Sequence, residues 1–320
     1  MNGIVLRIVI FCFLLLVATV QWGGVRTEAG GKTQKPGHEL YSAPDRTVVL
    51  NRVALGKKAA PYTTFTSIDI PGAEFVGVTA NNNRGQIVGA FLDEAGWHGF
   101  LLQNGDVTEI NIPGMVDIRI QDINNSGVMI GTMMDVSNSS IVAFVLKGQT
   151  WTTLPSPLEP LGINDKGEIV GDYYGDDGRI HGFLFDQGEV TTIDVPGAEN
   201  TWIEDINNRG DMVGAHGYSI FPPHSGFVLS HGVFNTIDHP SGFSTSMRGI
   251  NNRGKTVGVF AFDAGWKSFV FYRGQFSHTL VFPDTTGEGV GTLTESINDR
   301  GQIAGTYQDA SGNARGFLLE

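Results

Sequence analysis

Six times along the chain the pattern Asn-x-x-Gly-x-x-x-Gly recurs, with its first asparagine at 82, 124, 164, 207, 251 and 298. The intervals of 42, 40, 43, 44 and 47 residues lie in the range of propeller blades and also of two-helix repeats, so the pattern between the copies has to decide. Within each copy, Asn followed three residues later by Gly suits a type I turn that closes a hairpin, with Gly free to take the left-handed conformation. The copy spanning Ile163 to Gly171 therefore reads as strand, turn, strand. Its β-branched Ile169 and Val170 suit a pleated, buried surface.

Four short strand-like runs fill each unit. In the first they are Phe75 to Ala80, Gln86 to Leu92, His98 to Gln103 and Val107 to Pro113, separated by loop chemistry such as Asn104-Gly105-Asp106. The third run, as in Gly99-Phe100-Leu101-Leu102 and Gly182-Phe183-Leu184-Phe185, is apolar on both faces and predicts a strand buried between neighbouring sheets. Proline at the end of the fourth run, as at Pro113, Pro155 and Pro196, marks an edge. Thr66 to Pro71 reads as a fourth run with no third before it, and Gly316 to Glu320 as a third run with no fourth after it. Paired with each other, they complete the last unit. The expectation is an all-β fold: a six-bladed β-propeller of four-stranded blades over residues 61–320, closed by the N-terminal strand on the C-terminal blade. An open solenoid would need caps, and nothing in the chain reads as one.

Upstream, Arg7 precedes an apolar run from Ile8 to Val20, which predicts a secretory signal peptide over residues 1–20, with an uncleaved anchor as the competing reading. Residues 21–60, rich in Gly, Lys, Thr, Ala and Pro, read as a flexible tether. Cys12 is the one cysteine of the chain and lies in the apolar run, so a mature form would have no disulfide or cysteine metal site. Through residue 60 the chain holds 8 Lys+Arg and 3 Asp+Glu of its totals of 21 and 33; the remainder has 13 against 30, a net charge near −17. That balance argues against nucleic acid, whose phosphates call for clustered bases. It fits an exported monomer in the periplasm or at the cell surface, with no membrane span once the signal is removed.

His98-Gly99-Phe100 and His181-Gly182-Phe183, the Asn-Asn-Arg-Gly turns, and Ile193-Asp194-Val195-Pro196-Gly197-Ala198 together resemble the bacterial HAF-type extracellular repeat, over about 260 residues from Tyr62 to Glu320. The resemblance implies an exported, propeller-like protein and brings no catalytic set with it. Four units depart from His-Gly-Phe, with Val142, Ser225, Lys267 and Arg315 in place of the histidine. A histidine missing from four units is not a shared ligand.

No histidine pair has spacing suited to zinc, and the Asp-rich turns such as Asp176-Asp177 offer too few oxygens for calcium. The Gly-rich turns lead into strands, where phosphate binding needs a helix N-terminus. No metal or cofactor is expected. Trp97 and Trp266 share one position in units one and five and read as blade-edge packing.

The informative variation lies just before each Asn turn, on what should be the innermost strand. One row reads Thr79, Gln121, Leu161, Glu204, Arg248 and Glu295; the next reads Ala80, Asp122, Gly162, Asp205, Gly249 and Ser296, small or acidic as close approach to an axis requires. The divergent, partly charged first row marks the candidate ligand site: Gln121, Glu204, Arg248 and Glu295, with Trp202 beside Glu204. A salt bridge of Arg248 to Glu204 or Glu295 is the structural alternative. The functional expectation is a non-catalytic exported binding or scaffold protein for a carbohydrate, a peptide or an envelope partner. Its alternative is a glycan-acting hydrolase or lyase at the propeller centre, with Glu204 and Glu295 as acid and base.

Overall fold

The computed structural model describes residues 47–54, 62, 64–263, 265–277, 280 and 291–320, and among them every regular element is a β-strand. β1 (Val49–Ala54) and β2 (Thr64–Asp69) precede the repeats. The first meander is β3 (Phe75–Asn81), β4 (Ile87–Asp93), β5 (Gly96–Gln103) and β6 (Asp106–Ile110); the second is β7 (Met115–Ile123), β8 (Val128–Asp135), β9 (Ser140–Lys147) and β10 (Thr150–Thr153). The third comprises β11 (Glu159–Ile163), β12 (Ile169–Tyr174), β13 (Ile180–Asp186) and β14 (Glu189–Ile193), and the fourth β15 (Asn200–Ile206), β16 (Met212–Gly217), β17 (Ser225–Ser230) and β18 (Val233–Ile237). β19 (Ser244–Ile250), β20 (Thr256–Phe262), β21 (Gly265–Tyr272) and β22 (Gln275–Phe276) make the fifth, and the last repeat supplies β23 (Thr292–Ile297), β24 (Ile303–Gln308) and β25 (Ala314–Leu319).

The free edge of β25 is taken by β2, antiparallel, with Phe65 opposite Leu319 and Ile68 opposite Gly316. Thr64 and Glu320 exchange two main-chain hydrogen bonds at the end of that ladder. β1 then pairs along the outer side of β2 from Val49 opposite Asp69 to Ala54 opposite Thr64, exposed over its whole length. The tether expected over 21–60 therefore contains a strand at 49–54. Residues 1–20, expected as a signal peptide, lie outside the described residues.

Each inner strand, from β3 through β7, β11, β15 and β19 to β23, touches the next, and β23 touches β3. Up-and-down sheets set side by side about an axis make a β-propeller. In each of the first four repeats the first-to-second and third-to-fourth connections lie at one end of the sheets, and the second-to-third connection and the link to the next repeat lie at the opposite end.

The core sits between the sheets. Phe100, Phe144, Phe183, Phe227, Phe269 and Phe317, one from each third strand, are fully buried, as the two-sided apolar runs predict. Each such ring contributes roughly 1.5–3 kcal/mol through burial.

The expected turn forms in all six copies: Gly85, Gly127, Gly167, Gly210, Gly254 and Gly301 each donate a main-chain hydrogen bond to the carbonyl of the asparagine three residues before. The second glycine of the motif answers to a different constraint. On each inner strand the register slips by one residue just before the turn, skipping Thr79, Gln121, Leu161, Glu204, Arg248 or Glu295. Such a bulge presses a main-chain carbonyl against the facing strand. A Cβ on Gly171 would lie 1.9 Å from the Glu159 oxygen, and one on Gly214 1.9 Å from that of Trp202.

Candidate functional site

The six Asn turns converge on a cavity of about 70 Å³, lined by the turn asparagines, their neighbours Asn83, Asn125 and Asp165, and the acidic Asp122 and Asp205. Its walls are built from three rings of hydrogen bonds.

In the first ring the turn asparagine does two jobs. Its Oδ1 accepts main-chain N–H groups two and four residues ahead, as Asn124 does from Ser126 at 2.9 Å and Val128 at 3.0 Å. Its Nδ2 donates to the main-chain carbonyl of the next turn asparagine: Asn82 to Asn124, Asn124 to Asn164, Asn164 to Asn207, Asn207 to Asn251, Asn251 to Asn298 and Asn298 back to Asn82, at 3.0–3.2 Å. In four copies Nδ2 also meets the side chain four residues on: Gln86, Glu168, Asp211 or Gln302.

The second ring uses the residue after each of those asparagines. Main-chain N–H of Asn83 donates to Asn125 Oδ1, Asn125 to Asp165, Asp165 to Asn208, Asn208 to Asn252, Asn252 to Asp299 and Asp299 to Asn83, at 2.7–2.9 Å. The two carboxylates stand three repeats apart, each between asparagines. Asp165 Oδ2 accepts from Asn125 and Asn208, and Asp299 Oδ2 from Asn252 and Asn83. Burial works against the Asp299 carboxylate, but the hydrogen bonds from Asn252 and Asn83 outweigh it and hold the pKa below the ordinary value.

The third ring is the small-or-acidic row, and it alternates. Repeats two and four carry Asp122 and Asp205, repeat six Ser296, and repeats one, three and five Ala80, Gly162 and Gly249. Asp122 accepts the N–H of Ile123 on one oxygen and that of Ile163, in the next repeat, on the other, both at 2.7 Å. Asp205 does the same with Ile206 and Ile250, again at 2.7 Å. Ser296 Oγ accepts from Asn81 N at 3.4 Å and donates to Asn81 Oδ1 at 3.1 Å. Bulging turns these N–H groups out of the sheet ladder, and the side chains of even-numbered repeats satisfy them. The small residues let the sheets close in: a Cβ on Gly162 would lie 2.8 Å from Asp205 Cα. Burial pushes the Asp122 carboxyl up to about 7, against the pull of its two N–H donors. Burial, reinforced by repulsion from Asp122, also raises Asp205 well above the carboxylate range.

The divergent row of the sequence is the row of bulged residues, and its members are all half-buried. A residue skipped by the ladder has no cross-strand partner to match, which frees its identity. Among the candidates, Arg248 Nη1 lies 3.3 Å from Glu204 Oε2 across neighbouring sheets. Gln121 and Glu295 hold the same position in repeats two and six. Trp202 is only 5% exposed, packed with Ile180 and Ala215 beneath the His224 ring at 4.7 Å.

His98 and His181 lie at the other end of the sheets, each bridging two carboxylates. His98 Nδ1 is 2.9 Å from Glu109 and its Nε2 3.0 Å from Asp93; His181 Nδ1 is 2.8 Å from Asp194 and its Nε2 3.1 Å from Asp177. In the last repeat Arg315 does the same, between Asp69 at 3.2 Å and Asp309 at 3.7 Å. What recurs there is a basic side chain between two acids. Trp97 packs edge-on against Phe75 under the Arg119 guanidinium, 4.5 Å from the ring centre. Among the described residues no three His, Cys, Asp or Glu side chains cluster as metal ligands would. No described helix is long and apolar enough to cross a membrane.

No family model and no curated protein matches the chain. Solved structures do. A triple arginine-to-alanine mutant of AofleA from Arthrobotrys oligospora is 10% identical, with 86% of this chain and 87% of that one covered and a TM-score of 0.51. A streptogramin B lyase is 15% identical over 87% of this chain and 100% of its own, with a TM-score of 0.47. The β-propeller domain of the trilobed protease from Pyrococcus furiosus is 8% identical over 86% and 93%, also with a TM-score of 0.47. At such identities the likeness to AofleA bears on the fold alone.

Proposed function

We propose that the chain is an exported, non-catalytic binding or scaffold protein of the HAF-repeat type, a monomer built as a closed six-bladed propeller. The observation that supports the closed reading is the ring of asparagine bonds that returns from Asn298 to Asn82. The same rings support the non-catalytic reading. Asp122 and Asp205 use both oxygens on main-chain N–H groups, and Glu204 is paired with Arg248, so the acids nearest the axis hold the sheets together. A carbohydrate, a peptide or an envelope component is then the ligand, met at a rim of the ring.

The alternative is a glycan-acting hydrolase or lyase at the propeller centre, with Glu204 and Glu295 as acid and base, both half-buried at the same position of the inner strands. Both readings meet one experiment. The purified chain is incubated with soluble polysaccharides and peptidoglycan fragments, recording retention and new product ends together. Retention without product is the expected result; new ends that disappear in Glu204→Gln or Glu295→Gln establish the enzyme instead.

A further inference from the structure

The two ends of the sheets differ in chemistry. At the end formed by the second-to-third connections and the links between repeats, the exposed acids are Glu94, Asp176, Asp177 and Asp263 on the former. On the latter they are Glu74, Asp194, Glu199 and Asp238, and among the described residues Arg179 is the exposed base of that end. At the Asn-turn end the balance reverses, with Arg84, Lys166, Arg209, Arg253 and Arg300 exposed on the turns against Asp165.

Apolar exposure follows the acids. Val116, Val136 and Ile141 of the second repeat and Tyr174 of the third are 41–56% exposed at the acidic end. Next to them the fourth and fifth repeats present Tyr218 at 79%, Phe221 at 56% and Phe243 at 57%. Among the described residues the Asn-turn end has Val190 and Val233, on outer strands, and Val53 on β1 to set against these.

The aromatic part of this surface is held in place. Residues 218–224 form the longest of the described second-to-third connections. Ile220 anchors them against the cluster of Trp202, Ile180 and Ala215. His224 packs at a tilt over Trp202, and its ring Nε2 meets the Ser219 carbonyl at 3.1 Å. The loop bearing Phe243 is tied to it, since His224 N donates to Ser244 Oγ at 2.9 Å and Thr245 N to the His224 carbonyl at 2.8 Å. Trp202 thus supports the aromatic loop from beneath.

We propose that this end of repeats two to five is a docking surface for a basic, amphipathic segment of another protein. The inference rests on the binding-protein reading and names its face and partner. Acids and exposed apolar side chains sharing the same connections complement a segment in which Lys and Arg accompany apolar side chains. A second copy of the chain would bring bases on its Asn-turn end but little apolar surface to cover Tyr218, Phe221 and Phe243. A neutral glycan would stack on the aromatic rings and leave Val116, Val136 and Ile141 uncovered.

The test measures anisotropy of a short labelled Leu/Lys amphipathic peptide with the purified chain, beside a matched Leu/Glu peptide and a neutral dextran. The Leu/Lys peptide should bind and the Leu/Glu peptide should not. Tyr218→Ser with Phe221→Ser and Phe243→Ser should weaken binding about tenfold or more. Asp176→Asn with Glu199→Gln and Asp238→Asn should weaken it at low salt and flatten its salt dependence. Val190→Ser with Val233→Ser should leave it unchanged. Equal binding by wild type and both face variants, or equal loss in the Val190/Val233 control, overturns the proposal. So does concentration-dependent stacking of the chain alone in sedimentation velocity. Retention of dextran without peptide binding keeps the binding-protein reading and sinks the basic partner; product formation from glycans sinks the binding-protein reading itself.

Discussion

Asn298 Nδ2 donates to the main-chain carbonyl of Asn82 at 3.1 Å, joining residues 216 positions apart in the chain. The same amide donates to Gln302 Oε1, and Asn298 Oδ1 accepts from Arg300 N and Gln302 N. Asn298→Ala removes all four bonds, leaves the Arg300 and Gln302 N–H groups without this acceptor and the Asn82 carbonyl with Gly85 N alone, so it should cost more than about 2 kcal/mol. Asn298→Asp keeps the two acceptor bonds of the turn and loses the two donations, and should fall between alanine and wild type. Urea denaturation of the three proteins checks the order; an aspartate variant as stable as wild type would show that the clasp between first and last repeats contributes nothing.

The two glycines of one repeat separate conformational from steric demand. Gly167 has φ +87° and open space where a methyl group would stand, so Gly167→Ala should cost about 1 kcal/mol from backbone conformation alone. Gly171 would place its Cβ 1.9 Å from the Glu159 carbonyl oxygen, and Gly171→Ala should cost about 3 kcal/mol or more because the bulge has to move. Equal losses in thermal unfolding would remove the distinction.

Much of this fold was legible in the repeat. Asn-x-x-Gly predicted a hairpin turn, the paired Phe-Leu runs predicted the buried third strands, and the incomplete units at the two ends predicted the pairing of β2 with β25. The bonds from Asn Nδ2 to the next repeat were not legible, because a turn already accounts for asparagine at that position. The bulge was hidden for a similar reason. Variation at Thr79, Gln121, Leu161, Glu204, Arg248 and Glu295 reads as a candidate ligand site in sequence, and the structure adds a second reason for it, since each of these residues is skipped by the ladder. The alternation of Asp122 and Asp205 with Gly162 and Gly249 was visible, but its meaning needed the main-chain N–H groups that the bulges turn toward the axis. Burial of Trp202 depends on residues 218–224, a loop that follows no repeat rule.

Pairing of β2 with β25 makes the last sheet depend on the first strand of the repeat region. Deleting residues 64–69 should uncover the edge of β25, lower the melting temperature and drive association through the open edge. Light scattering of the deletion variant checks this, and a monomer with unchanged melting contradicts it. Arg315→Ala leaves the ladder intact and removes the contacts to Asp69 and Asp309 and the Nη1 bond to the Ala314 carbonyl. Its cost should stay near or below about 1 kcal/mol, since the pair is partly open to solvent.

The axial carboxyls set a pH dependence opposite to that of ordinary paired carboxylates. Asp122 has a folded pKa near 7, raised from 3.8, so its contribution is fully present below about pH 4 and is lost as pH rises through about 7. Asp205 shifts in the same direction. His181 also loses its contribution as pH rises, through a value above its usual 6.5: burial lowers its pKa, but Asp194 and Asp177 together raise it further. His216, His224 and His239, lowered by burial, act the other way; their contribution is present above 6.5 and lost as pH falls through their lowered values. Between about pH 4 and pH 7 the two aspartates therefore oppose the gain from these three histidines. Asp122→Asn with Asp205→Asn should remove that opposition, so that the variant gains more stability than wild type on going from about pH 4 to about pH 7, whatever its absolute loss from the altered hydrogen bonds. Melting temperatures of both proteins across that range decide it: converging curves support the raised axial carboxyls, and parallel curves show that Asp122 and Asp205 titrate as exposed acids do.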